Sequence, residues 1–138
     1  MPVVYVARSS ALQKWGAEVG VTKHLYKIGV APESAEAAVK ALNDDACAGE
    51  RDWKLLAKEA TDVDIDEDRA IERLGAREKI VDPRLYPRLK DERGIIKVKT
   101  ANVENHLMVK KALAGEEDIA IKVTPAVIGA YLIANALR

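Results

Sequence analysis

Two short runs hold the side chains best suited to chemistry. Val3-Val4-Tyr5-Val6 and Leu25-Tyr26-Lys27-Ile28-Gly29 are rich in β-branched and aromatic residues, as strands are, and each sets a hydroxyl or amine donor in mid-run. The second run ends at Gly29 and passes through Pro32 to Ser34, a helix-start signal. Strand, turn and helix N-terminus make a natural seat for a phosphate, because the first N–H groups of a helix have no partner inside it. Binding or attack at anionic oxygens, with Tyr5, Tyr26 and Lys27 as donors, is the chemistry these types could do.

The other reactive types offer less. Cys47 is the one cysteine, which excludes an intramolecular disulfide and a Cys-based zinc site, and its apolar phase on an expected helix reads as a buried, inert thiol. His24 and His106 have no second ligand at helical spacing and read as structural. Trp15 and Trp53 read as core, and Tyr86, between Leu85 and Pro87, as packing a turn. There is no P-loop, Gly-rich dinucleotide loop or Ser-centred nucleophile elbow.

The elements that must position these residues read as follows. Residues 2–7 form a first strand, and Ser9 or Ser10 caps a helix to about Val19, with Leu12 and Trp15 on one face. Residues 23–30 form a second strand, expected to pair antiparallel with the first, although a helical link also permits parallel pairing. Ser34 caps an alanine-rich helix that Gly49 ends, and residues 52–60 form a third strand. Asp64 or Asp66 caps a helix from Glu67 to Val81, stopped by Asp82-Pro83. Residues 84–89 form a helical turn, and residues 94–99 a fourth strand whose Lys97 and Lys99 make a wet, basic face. Thr100 caps a helix to Gly115, residues 119–123 are strand-like, and Thr124-Pro125 starts a last helix through Leu137. That helix is apolar on most sides, which suits either deep packing or a homodimer contact. The fold class is α+β: a small antiparallel sheet covered by helices.

With 138 residues the default is one domain, and 49% apolar with 32% charged residues is an ordinary soluble composition. No apolar stretch is long enough to span a bilayer, and the N-terminus lacks the basic and apolar regions of a signal peptide, so a cytoplasmic protein without a membrane partner is expected. Net charge is zero but unevenly spread. Residues 44–73 hold 11 acids against 5 bases, while residues 77–111 hold 10 bases against 5 acids. The second segment offers a face to an acidic partner such as DNA or RNA. With Phe absent, a stacking platform for single strands is not expected.

Taken in order, these motifs resemble the GIY-YIG nuclease superfamily, in the divergent branch whose second motif begins with Lys. Val3-Val4-Tyr5 stands at the first motif and Lys27-Ile28-Gly29 at the second. A helix ending Ala41-Leu42-Asn43, a strand at Trp53-Lys54-Leu55-Leu56, a helix carrying a glutamate, and a late strand at Arg93-Gly94-Ile95-Ile96-Lys97-Val98 follow in the family's order. The resemblance covers residues 2–113, leaving residues 116–138 as a C-terminal strand-like segment and apolar helix.

The resemblance implies phosphodiester hydrolysis with one Mg²⁺ or Mn²⁺. Tyr5 would assist deprotonation of water, Lys27 would replace the second tyrosine, and Glu78, or else Glu72, would hold the metal. A hard ion takes a single carboxylate plus waters and substrate oxygens, and it meets the charge that builds on those oxygens. Tyr26 and Gly29 would border the phosphate. The chain departs from the pattern in three ways. The position of the family's phosphate-holding helix arginine falls on Ala37 or Ala38, Val3 replaces a glycine, and residues 9–19 lengthen the gap between motifs. Losing such an arginine costs about 10²-fold in rate or more. Arg8, Lys23 and Lys40 are the cations available as substitutes. The reading is a domain that acts on or binds nucleic-acid backbone, weak or inactive as a nuclease; the alternative is a non-catalytic interaction or nucleic-acid-binding module on the same scaffold.

Overall fold

In the computed structural model, which describes residues 1–115 and 122–137, the chain is built on β1 (Val3–Ser9). Every second side chain of β1 enters one of two cores, Val4 and Val6 on one side and Val3, Tyr5 and Ala7 on the other. Helix α1 (Ser10–Glu18) starts where the Ser9 hydroxyl accepts from the Leu12 amide at 3.1 Å. Strand β2 (Leu25–Ala31) returns antiparallel to β1, with Tyr5 opposite Gly29. Lys23 and His24 therefore lie in the turn rather than in the strand. Helix α2 (Ala35–Asp44) is capped by Ser34 as expected, but it ends before Cys47, which sits in a 3-10 turn (Cys47–Gly49).

Strand β3 (Trp53–Ala60) pairs antiparallel with the other edge of β1, as the alternation of its apolar residues predicts. Helix α3 (Glu67–Gly75), capped by Asp66, is the main departure from the expected elements. It ends at Gly75, and Lys79–Ile80 is strand β4, not the tail of a helix. Ile80 and Val81 continue the apolar spacing of Ala70 and Leu74, yet they pair with β5 (Ile95–Lys97): Ile80 lies opposite Ile96, and the Val81 amide donates to the Ile95 carbonyl. The sheet order is β3-β1-β2-β5-β4, antiparallel throughout.

Helix α4 (Thr100–Leu113) begins one residue earlier than expected, at the residue expected to cap it. Lys99 holds the cap position without a side-chain bond, and Thr100 is helical. Of the strand-like stretch expected at 119–123, residues 119–121 lie outside the described residues, and 122–124 have no regular structure. Helix α5 (Pro125–Leu137) buries Ile128, Tyr131, Leu132 and Ile133 in the core formed by Val4, Val6, Tyr26 and Ile28. The apolar residues of α5 are thus taken up inside the chain, leaving Ala126 and Ala130 on its exposed side. Helices α3, α4 and α5 cover one face of the sheet; α1, α2 and the 3-10 turns cover the other. Among the described residues no helix is long and apolar enough to cross a membrane.

A carboxylate joins the first layer to the sheet. Asp52, just before β3, accepts from the Ser9 hydroxyl and from the Ala11 amide at 3.0 Å, covering the start of α1. Burial alone would raise its pKa, but these hydrogen bonds hold it below the usual carboxylate range. Its contribution to stability is therefore complete above the unfolded carboxylate pKa, about 4, and is lost as pH falls through the lower folded value. Thermal melts of Asp52→Asn are expected to show a flatter loss of Tm on acidification than wild type. An equal slope would mean Asp52 takes no part in acid unfolding.

Candidate functional site

The structure brings together Tyr5, Lys27 and Gly29 of the sequence-expected set. The Tyr5 ring lies over Gly29: a Cβ there would overlap the phenol, with Cε1 2.7 Å away. Only glycine lets the two strands carry a tyrosine across their pairing at this point. Lys27 projects on the same side and is buried, with its side chain 3% exposed. Its ammonium donates to Glu67 Oε1 at 2.6 Å and to the Ile28 carbonyl at 2.9 Å, and it lies 2.9 Å from Glu92 Oε1. An ammonium has three hydrogens, and three acceptors take them.

The two carboxylates come from places the sequence reading did not weigh. Glu67 opens α3, and Glu92 lies in the loop before β5. Gly94 makes room for the group, since a Cβ there would overlap Lys27 Nζ and come within 2.8 Å of the Ile28 carbonyl oxygen. Burial alone would lower the Lys27 pKa, but Glu92 and Glu67 outweigh it and the net shift is upward. Glu92 is likewise held below its usual range by Lys27, against its own burial. Burial is the main cause that raises the Tyr5 hydroxyl, which therefore stays protonated at neutral pH and is a donor rather than a base.

A cleft of about 390 Å³ opens beside Tyr5, Ala38, Cys47 and Glu92. Ala38 and Ala41 present α2 to it, so no cation faces it from that helix. The Cys47 thiol donates to Glu92 at 3.3 Å, and burial followed by the Glu92 charge pushes its pKa up to about 12, as suits an inert thiol. The backbone around the cleft is strained: Ala46, Ala48, Lys90 and Asp91 all have positive φ, from 49° to 64°.

The remaining expected residues lie elsewhere. Glu78 is not on a helix. It precedes β4, is 5% exposed, and accepts from the Tyr131 hydroxyl at 2.7 Å, the Lys99 amide at 2.9 Å and Asn102 Nδ2 at 3.0 Å. Its partner Tyr131 belongs to the core across the sheet from Tyr5. Glu78 thus does not fit the metal-holding role the resemblance implies, because its oxygens are engaged in another layer. Glu72 is exposed on α3, and among the described residues no group of three or more His, Cys, Asp or Glu is placed to hold a metal ion. Tyr26 is buried in the α5-side core, where burial raises its hydroxyl pKa against the opposing charge of Arg8. Lys23 is exposed in the turn, and Lys40 pairs along α2 with Asp44 at 3.0 Å.

A second surface is better suited to anions. Lys79 and Lys97 sit directly opposite each other on β4 and β5. With Lys99, Arg77 and Asn102 they line a groove of about 510 Å³. It adjoins, through Arg77 and Asn102, one of about 760 Å³ along α4 that adds Lys110 and His106. Among the described residues Glu78 is the only acid lining either, and its carboxylate is engaged. Among the described residues none of Arg77, Lys79, Lys97, Lys99 or Lys110 has an ion-pair partner. The basic face of Lys97 and Lys99 was legible from their alternation with Ile96 and Val98; its partner Lys79 was not, because β4 was read as helix. No family model, curated protein or solved structure matches the chain.

Proposed function

We propose that this chain is a non-cleaving domain that binds nucleic-acid phosphodiester backbone along the β4–β5 edge, on a scaffold similar to that of the GIY-YIG nucleases. The observation that carries the reading is the facing pair Lys79 and Lys97. Like charges directly across a strand pair repel, and a pair without an acid is a cost that a bound anion removes. Arg77, Lys99 and Lys110 extend the same positive strip, with a spread that suits successive phosphates rather than one small anion. The cleft at Tyr5 argues against cleavage: the buried Lys27 is fully bonded to Glu67, Glu92 and Ile28, the tyrosine of the cleft stays protonated, and its helix offers alanine, with Lys90 the cation on its lining.

Fluorescence anisotropy with labelled single- and double-stranded DNA and RNA at graded salt tests this. The logarithm of the binding constant is expected to fall linearly with log salt, and Lys79→Gln and Lys97→Gln are each expected to reduce that slope by about one. The labelled strands are expected to stay intact with Mg²⁺ or Mn²⁺ present. Affinity indifferent to salt, or unchanged in both variants, would sink the reading. Then the exposed Met108, Val109 and Leu113 on α4 would favour the interaction-module alternative.

A further inference from the structure

We infer that the cleft beside Tyr5 binds a small zwitterion, an α-amino acid with a short aliphatic side chain, held between Lys90 and Asp45. The Tyr5 hydroxyl is the first ground. Tyr5 is 5% exposed and lines the cleft, yet among the described residues its hydroxyl has no hydrogen-bond partner. Buried tyrosine hydroxyls ordinarily find one. The nearby Glu92 carboxylate is taken up by the Lys27 ammonium, the Gly94 amide and the Cys47 thiol. Among the described residues the side-chain polar atom that is both unbonded and sealed from solvent is Asn135 Nδ2, so the Tyr5 hydroxyl keeps an opening, and the cleft is the open space that Tyr5 meets. A built donor thus faces the cleft with nothing in the chain to receive it.

The charges on the lining are the second ground. Lys90 and Asp45 both line this space of about 390 Å³, and both reach solvent. Among the described residues neither has an ion-pair partner, and they do not pair with each other. Glu92, the third charge on the lining, is already balanced by Lys27. One free positive and one free negative charge on one small cleft match a ligand that carries both. A ligand with a single charge would leave the opposite charge uncompensated and would also meet its own sign. The carboxylate goes to Lys90 and to the Tyr5 hydroxyl, which burial keeps protonated, and the ammonium goes to Asp45. Ala38, Ala41 and Leu42 give the side chain an apolar wall. None of these residues lines the basic groove, so this inference does not depend on the nucleic-acid reading.

Calorimetric titration tests it with L-alanine and L-leucine, against N-acetyl-alanine, which lacks the ammonium, and alanine amide, which lacks the carboxylate. The two amino acids are expected to bind with a Kd of millimolar order or tighter, and each one-charge analogue about tenfold more weakly. Tyr5→Phe is expected to melt with wild type, because its hydroxyl bonds to nothing in the chain, and to bind L-leucine about tenfold more weakly. Lys90→Gln should weaken both amino acids and leave alanine amide unchanged; Asp45→Asn should weaken both and leave N-acetyl-alanine unchanged. No heat from either amino acid at millimolar concentration, or a one-charge analogue that binds as well as they do, overturns the inference. So does a Tyr5→Phe that melts well below wild type, or binding that both Tyr5→Phe and Lys90→Gln leave undiminished.

Discussion

Ile133→Lys is expected to abolish cooperative folding. Ile133 is 5% exposed and belongs to the core that also holds Ala70 and Leu74 of α3 and Val4 and Val6 of β1. A lysine there would bury an ammonium among apolar groups. The cost of an unpaired buried charge is several kcal/mol, on top of the lost packing of the isoleucine. Domains of this size are stable by about 5–15 kcal/mol, so one such change consumes much of the margin. Ala130→Lys, on the exposed side of the same helix, is the control and should melt close to wild type. Circular dichroism melts and size-exclusion chromatography of both variants check this. A folded monomeric Ile133→Lys would instead mean that α5 is an intermolecular contact, the other use its apolar sequence allowed.

The strands around β1 were legible because their signal is local. Residues 3–7 and 25–31 are short β-branched runs, and Trp53, Leu55 and Ala57 alternate, so nothing beyond the pattern was needed. Ser9, Ser34 and Asp66 cap their helices through bonds to residues three positions on, which is also local. What failed was β4. Ile80 and Val81 fit a helical period with Ala70 and Leu74, and only pairing with Ile95 and Ile96 turns them into strand. That competition is settled by a distant segment, which no window of sequence contains.

The candidate site divided along the same line. Tyr5, Lys27 and Gly29 share one face of a strand pair whose register follows from the pattern. Glu67 and Glu92 join them through the placement of α3 and of the loop before β5, so the chain's own order hides them. Glu67 carried one usable signal, its place as the first residue after a helix cap. A metal-holding role for Glu78 depends on a helix that runs through it, and that helix ends at Gly75. The same overlong helix conceals Lys79, and with it the cross-strand lysine pair that the binding proposal rests on.

Glu78→Ala is expected to cost stability, not merely a ligand. The carboxylate accepts from the Tyr131 hydroxyl, the Lys99 amide and Asn102, and so ties α5, the entry to α4 and the entry to β4 into one network. Burial, and then the hydrogen bond and charge of Glu78, push the Tyr131 hydroxyl well above its ordinary pKa, so it remains a donor at any working pH. Alanine would leave that buried donor and the Lys99 amide without acceptors. Each unsatisfied buried group costs about 1–3 kcal/mol, so a loss of roughly 3 kcal/mol or more is expected from chemical denaturation. Glu78→Gln keeps an acceptor for Tyr131 but turns an amide toward the Lys99 N–H, and should cost about half as much. Tyr131→Phe removes a donor and leaves the carboxylate two others, so it should cost least, about 1 kcal/mol. This order, Ala worst and Phe mildest, follows from a staple at the junction of three elements. A metal ligand facing an open groove predicts another result: Glu78→Ala as stable as wild type, with only divalent-ion binding lost.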